Sequence, residues 1–361
     1  MSTYIKTIQV RVKDKHAKVL RAMAFDVNQV WNEANAITSE YAYVPIPGFG
    51  WVKTPCSEFD LNKELVGIRN ERDLNIGAAT VQSVIAQHAK SRQQFKKNKL
   101  RWRCSSGSRR ALGWVPFKTA GIAYKQGQIR FCGHFFSVWD SYDLSHYTLK
   151  TGSFSEDSRG RWYFNAMVDV PMTLGTGVSS IGVDLGLKTV ATCSDGDLLQ
   201  NSKIYRKAES TLALAQRANK KNQVKSIHAQ IKNRRKDAIH QFTTNLANQH
   251  GAIVVGNVSS EKLVKTRMAK SVLDAGWAML KTQLEYKANA RSVVYMEVNE
   301  SNTTVTCSSC EARSGPRGLQ GLQIREWTCA ECGTQHDRDV NAAKNILRIG
   351  HDTLAVGIPA L

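Results

Sequence analysis

Residues 181–188 read IGVDLGLK, a short apolar run that carries two glycines and one carboxylate, Asp184. The run has the character of a buried strand, and burying an unpaired charge in a strand is costly. Asp184 therefore calls for partners. Downstream, AIVVGNV (252–258) and SVVYMEV (292–298) are two further strand-like runs. Asp195-Gly196 marks a hairpin between IGVDLGLKTVATC and DLLQNSKIY. Residues 203–250 read as helical and basic, and a further helix covers about 271–290.

Upstream, IQVRVK (8–13) alternates like a half-buried strand, and Leu20, Met23, Val27, Val30, Trp31 and Ala34 recur at helical spacing. A second helix is expected over 76–97, while 36–70, with the turn-rich PIPGFGW at 45–51, lacks clear periodicity. From 121 to 170 the texture is β, and 171–180 reads as a linker.

Charge is the strongest global signal. The 361 residues hold 50 Lys and Arg against 30 Asp and Glu, a net +20, which favours a polyanionic partner through counterion release. Residues 90–118 hold ten basic residues and no acid, interleaved with Phe95, Trp102, Trp114 and Phe117. Basic side chains contact phosphates and aromatics stack on unpaired bases, which makes Lys96, Lys97, Arg101, Trp102 and Arg103 candidate nucleic-acid contacts. No apolar stretch approaches the roughly 20 residues of a membrane helix, and the N-terminus lacks the core of a signal peptide. The expected location is cytoplasmic and nucleoid-associated.

In such a compartment eight cysteines are not read as disulfides. Cys56, Cys104, Cys132 and Cys193 stand alone as packing residues. Cys307-x-x-Cys310 and Cys329-x-x-Cys332, 18 residues apart, form two knuckles that together offer Zn²⁺ four thiolates. A site closed in this way is structural, with no open position for chemistry. HDRDVNAAKNIL (336–347) follows the second knuckle and starts a helix, so Asp339 by itself reads as a helix cap.

Taken together, IGVDLGLKTVATCSDG, a basic helical hairpin and CSSC…CAECGTQHDRDVNAAKNIL resemble the TnpB family of transposon-encoded proteins, relatives of type V CRISPR effectors. The resemblance is specific over about 180–350. It implies an α/β, RNase H-like RuvC nuclease domain (173–304 and 337–361) interrupted by a zinc ribbon (305–336). It also implies a wedge β-barrel (1–15 and 106–172) with a helical recognition insert (16–105). The implied activity is RNA-guided cleavage of double-stranded DNA beside a short motif, by a monomeric ribonucleoprotein carrying a guide RNA from the transposon end. Carried over by residue, Asp184 matches the first RuvC acid and Asp339 the third, both as Mg²⁺ ligands, and the four cysteines match the zinc ligands.

The second acid is absent from its usual place. Where the family has a glutamate at the end of an apolar strand, this chain has Gly256, followed by Asn257. The resemblance places SVVYMEV beside that strand, about 4.8 Å away, within reach of a glutamate side chain. Glu297, a carboxylate in an apolar run, is therefore expected to supply the displaced acid and Mg²⁺ ligand. Glu300, three residues on, is expected to point to the opposite face. The alternatives are a nuclease-dead RNA-guided DNA-binding repressor and a zinc-ribbon DNA-binding factor that uses no guide.

Overall fold

The computed structural model describes residues 3–40, 44–46, 50–52, 56–258, 269–321 and 323–356. The chain divides between Val170 and Pro171 into two compact units, Ile5–Val170 and Pro171–Leu361, the latter joined by Met1–Tyr4.

In the first unit β1 (Thr3–Val12) alternates as its sequence predicts, with Ile8, Val10 and Val12 buried. Helix α1 (Ala17–Glu40) buries Leu20, Met23, Val27, Val30, Trp31 and Ala34, the stripe read from the sequence. A short ribbon, β2 (Val44–Ile46) and β3 (Gly50–Val52), flanks residues 47–49, so the centre of the turn-rich stretch lies outside the described residues. Two short helices follow, α2 (Glu58–Glu64) and α3 (Ile68–Glu71), the first opened by a capping box between Ser57 and Asp60. These turns are too short to display a helical period in the sequence. Helix α4 (Ala78–Phe95) buries Val81, Val84, Ile85 and His88.

Six more strands complete this unit: β4 (Trp114–Phe117), β5 (Ile122–Lys125), β6 (Gln128–Phe131), β7 (His134–Trp139), β8 (Leu149–Glu156) and β9 (Trp162–Pro171). The sheet runs β4-β8-β9-β1-β7-β6-β5. Near one end of that order Phe154 stands on β8, and near the other Phe131 stands on β6, yet their rings lie 5.5 Å apart. Phe117 of β4 is likewise 6.1 Å from Phe131. The sheet therefore curls into a nearly closed barrel around an aromatic core, which removes most of its edge.

In the second unit β10 (Ser179–Asp184), β11 (Thr189–Cys193) and β12 (Leu198–Gln200) form an antiparallel meander. Its second turn is Ser194–Asp197, with Gly196 at φ +99°, as the Asp-Gly pair predicts. The chain then rises through the basic hairpin α5 (Ile204–Arg217) and α6 (Lys221–Gln249) into β13 (His250–Gly256), parallel to β10. Helices α7 (Ala269–Ala275) and α8 (Trp277–Ala290) precede β14 (Val294–Val298), parallel to β13. A left-handed Gly276, φ +71°, splits the single helix read from the sequence into these two.

The sheet order is β12-β11-β10-β13-β14, so the strands of Gly256 and Glu297 are neighbours in the expected order. Helix α9 (Arg338–Val356) covers one face of this sheet, where Ile346 meets Val254 and Val298. On the other face Ile253 and Val255 join the core formed with α6 and α8. Strands covered on both faces read as continuous apolar runs, which these do. Gly182 is what lets α9 approach: a Cβ there would stand 2.1 Å from the carbonyl oxygen of Ala343.

Candidate active site and metal centre

Parallel strands present their carboxyl ends as the natural place for a site. Asp184 is the last residue of β10 and Gly256 the last of β13, while Glu300 lies two residues beyond β14. Asp339 stands in the first turn of α9. The cap of that helix is Asp337, whose Oδ1 accepts the amides of Asp339 and Val340 at 2.9 Å each. Asp339 is thereby free of the capping duty that its position in the sequence suggested.

Asp184 is half-buried, and its carboxyl is pushed up to about 7. Burial is the largest cause, followed by the nearby carboxylates of Glu300 and Asp339, against the opposing pull of Arg338 and Arg325. Glu300 is also raised, by burial first, with Lys281 and the Val258 amide opposing. Its Oε2 is buried and has no hydrogen-bond partner. That oxygen occupies the space left by the glycine: a Cβ on residue 256 would stand 2.5 Å from it.

Glu297 is elsewhere. Its Oε2 accepts from Lys281 Nζ at 2.7 Å and its Oε1 from the Tyr295 hydroxyl at 2.9 Å, on an exposed part of β14. The expectation that Glu297 stands beside Asp184 does not hold; Glu300 does lie on the face opposite to Glu297, and that is the face of Gly256 and Asp184. The alternation rule holds: Glu297 pairs with Val255, which faces the core of α6 and α8, while Val298 packs with Val254 and Ile346 on the α9 face, the parity that Gly256 and Glu300 share. Asn299 then makes an Asx turn, its Oδ1 accepting from Ser301 N at 3.0 Å, and the Glu300 carbonyl accepts from Thr303 N at 3.2 Å. Which acid meets Asp184 is decided by the register of β14 on β13, Val255 against Glu297, which the sequence alone does not give.

The cysteine pairs form two knuckles of matching design. The amide of Glu311 returns to the Cys307 carbonyl and that of Gly333 to Cys329, at 2.9 and 3.0 Å. Both closing residues are left-handed, with φ +66° and +69°. All four sulfurs lie within 4.8 Å of one another, with Cys307–Cys332 at 3.7 Å and Cys310–Cys329 at 3.6 Å. A tetrahedron with metal–sulfur bonds of 2.3 Å has edges of about 3.8 Å. The group could hold a metal ion. Ser314 Oγ donates to Cys329 Sγ at 3.1 Å, the largest cause holding that thiol down at about 6. Among the described residues this is the one cluster whose ligand atoms draw so close; the three carboxylates are more loosely grouped. The knuckles are tied to α9 by Asn341, whose Oδ1 accepts from Ser308 N at 2.8 Å, and by Asn345, bonded to the Thr303 and Thr306 carbonyls.

In the first unit the basic-aromatic segment is strapped along α1. Asn32 and Asn35 each exchange two hydrogen bonds with the backbone of Arg103 and Leu100, and Asn28 donates to Ser105 Oγ at 3.0 Å. Arg103 lies between the rings of Trp31 and Trp114, 4.7 and 5.2 Å from their centres. It is half-buried and packs within this unit, while also lining the smaller groove beside Arg101 and Trp102. Lys96, Lys97 and Arg101 remain on the rim of two grooves of about 1290 and 650 Å³, with Lys97 shared by both. Trp102 is 44% exposed under Lys99. The asparagine ladder of α1 is the signal that would have found the strap.

Comparisons with known proteins address the same regions. Residues 165–267 match the OrfB_IS605 family model, described as "Probable transposase", and 277–346 match the model of the Cas12f1-like TNB domain. A Streptomyces pristinaespiralis protein described as "Putative RNA-guided DNA endonuclease" is 33% identical over 223 residues, 57% of this chain and 54% of that protein. The Escherichia coli K12 protein InsQ, described in the same words, is 27% identical over 230 residues, 55% of this chain and 56% of its own. The chain is similar to these relatives over somewhat more than half of its length. It spans about half the length of the curated relatives it matches. The fold of this chain is shared with Cas12f1 solved with sgRNA and target DNA: the TM-score is 0.60 at 14% identity, covering 95% of this chain and 98% of that one. Among the described residues no helix is long and apolar enough to cross a membrane.

Proposed function

We propose that this chain belongs to the TnpB family and is an RNA-guided DNA endonuclease that acts as a monomeric ribonucleoprotein. On this reading it binds a guide RNA from the transposon end and cleaves target double-stranded DNA beside a short motif. The second unit serves as an RNase H-like RuvC nuclease carrying a zinc ribbon at 305–336. The first serves as a wedge barrel with a helical recognition insert at 16–105.

The observation that carries the reading is the Glu300 carboxylate standing over Gly256, in the neighbourhood of Asp184 and Asp339. The chain has not lost its second acid; it draws one from the turn after the adjacent strand. The fit to a divalent cation rests on two features. Glu300 Oε2 is a buried oxygen without a donor, and the cradle it fills would close with any side chain at 256. Asp184, Glu300 and Asp339 offer the hard oxygen ligands that Mg²⁺ takes. When bound, such cations activate the attacking water and stabilise the leaving oxygen of a phosphodiester. The protein's part is to hold the three carboxylates on rigid strand ends and a helix turn. Asp184, close to neutral in its proton affinity, gives up its proton readily as positive charge arrives.

The four cysteines hold Zn²⁺ as a structural ion, which fixes the knuckles against α9. Lys96, Lys97, Arg101 and Trp102 are surface contacts for nucleic acid. The glycine at 256 favours one rival, a nuclease-dead RNA-guided repressor, in which Glu300 fills space alone.

Protein purified from a host carrying its native transposon end should bring down one discrete RNA. The ribonucleoprotein should cut a matched duplex when Mg²⁺ is added. A discrete RNA without cleavage under any divalent metal would favour the repressor, and the absence of RNA would overturn both.

A further inference from the structure

Arg325 lies between the two cysteine pairs, yet its side chain ends at the catalytic acid. Its Nη1 donates to both carboxylate oxygens of Asp339, each at 3.0 Å. The backbone of Arg325 is fixed, because its carbonyl accepts the Arg338 amide at 2.7 Å and the next residue pairs with Asp337 in the ribbon. Asp339 is held from behind by the Asp337 cap. Only the guanidinium is free to leave, and it is 39% exposed toward solvent. The contact is bifurcated, one guanidinium nitrogen shared between the two carboxylate oxygens, so it engages both of them without the strength of a two-nitrogen fork.

We infer that Arg325 is a positioning residue that competes with the divalent cation for Asp339, and so sets the metal concentration at which the site fills. This rests on the reading of Asp184, Glu300 and Asp339 as cation ligands. The guanidinium occupies lone pairs of both Asp339 oxygens and repels an incoming cation, so cation entry is favoured when the guanidinium swings outward. The knuckle that begins at Cys329, four residues on, fixes where that guanidinium starts, and the fold of the ribbon thereby reaches the metal affinity of the nuclease. The coupling is reciprocal: metal loading frees Arg325 at the rim of the site.

The test is a titration of the purified full chain with Mn²⁺, counting free ion by electron paramagnetic resonance. Arg325→Gln should bind Mn²⁺ roughly tenfold more tightly than the wild type, and Arg325→Lys, which keeps the charge, should fall between. Arg317→Gln removes the same charge from the ribbon and controls for long-range electrostatics. Circular dichroism melting of each variant checks that the fold is retained. If Arg325→Gln and Arg317→Gln shift the affinity equally, or neither shifts it, while Asp184→Asn abolishes binding, the competition is wrong and the carboxylate site stands. If no protein binds Mn²⁺ in a manner sensitive to Asp184→Asn, the site itself fails and the inference with it.

Discussion

The Glu300 carboxylate occupies the volume that a side chain on Gly256 would need, with Oε2 2.5 Å from the place of a Cβ. The two positions are therefore coupled, since a larger residue at one displaces the other. Gly256→Ala should leave the fold intact, because the end of a glutamate side chain can move, but should lower DNA cleavage by roughly 100-fold through misplacement of Glu300. Gly256→Glu combined with Glu300→Ala should recover a substantial part of the loss, measured as cleavage rate of a matched duplex. Full activity of Gly256→Ala would contradict the coupling.

Arg103 should matter for stability and not for RNA. Flanked by two tryptophans, it contributes about 2 kcal/mol by cation–π contact. Arg103→Ala should shift the urea midpoint of the protein, whereas charge reversal at Lys96, Lys97 and Arg101 should leave the midpoint alone and weaken RNA retention and its salt dependence. Unchanged RNA binding by the triple variant would place the contact surface elsewhere.

His88 gives the first unit an acid-sensitive point. It is fully buried against Trp31, neither ring nitrogen has a partner, and burial, then Arg92, lower its pKa to about 4. The unfolded chain takes up the proton near 6.5, so stability is fully present above that pH and falls as pH drops toward 4. The full loss is about 3 kcal/mol. His88→Leu should flatten the dependence over that window in equilibrium unfolding, and an unchanged slope would assign it to other groups.

The knuckles should carry about one Zn²⁺ per chain, as four thiolates in a closed set imply. Cys329→Ser should release the ion and loosen 307–337 in hydrogen exchange while the strands β10 and β13 stay protected. A folded sample without zinc would remove the ribbon from the account.

Much of this architecture was legible in the sequence because its signals are local. The alternation of IQVRVK, the stripe of α1, the Asp-Gly turn and the paired cysteines each depend on residues a few positions apart. The neighbours of β13 were also read correctly, since the apolar runs carried enough of the family pattern. The choice of Glu297 over Glu300 fails because the register that sets Val255 against Glu297, and so decides which face of β14 meets Asp184, is not legible in a single strand. The packing of Arg103 was not visible because its partner Trp31 lies 72 residues away, and a charge sandwiched by rings has no local signature. Arg325 escaped notice for the same reason: only the folded ribbon brings it to Asp339.

The central claim is that Glu300, and not Glu297, is the second acid. Glu297 is bound to Lys281 and Tyr295 on the open side of β14, so its loss should cost little. The direct measurement is the Mg²⁺-dependent cleavage rate of a matched duplex by Glu300→Ala and Glu297→Ala ribonucleoproteins, compared at equal RNA and target occupancy. The account predicts that Glu300→Ala falls by roughly 100-fold or more while Glu297→Ala stays within a few-fold of the wild type. Full cleavage by Glu300→Ala, or its loss in Glu297→Ala alone, would contradict it.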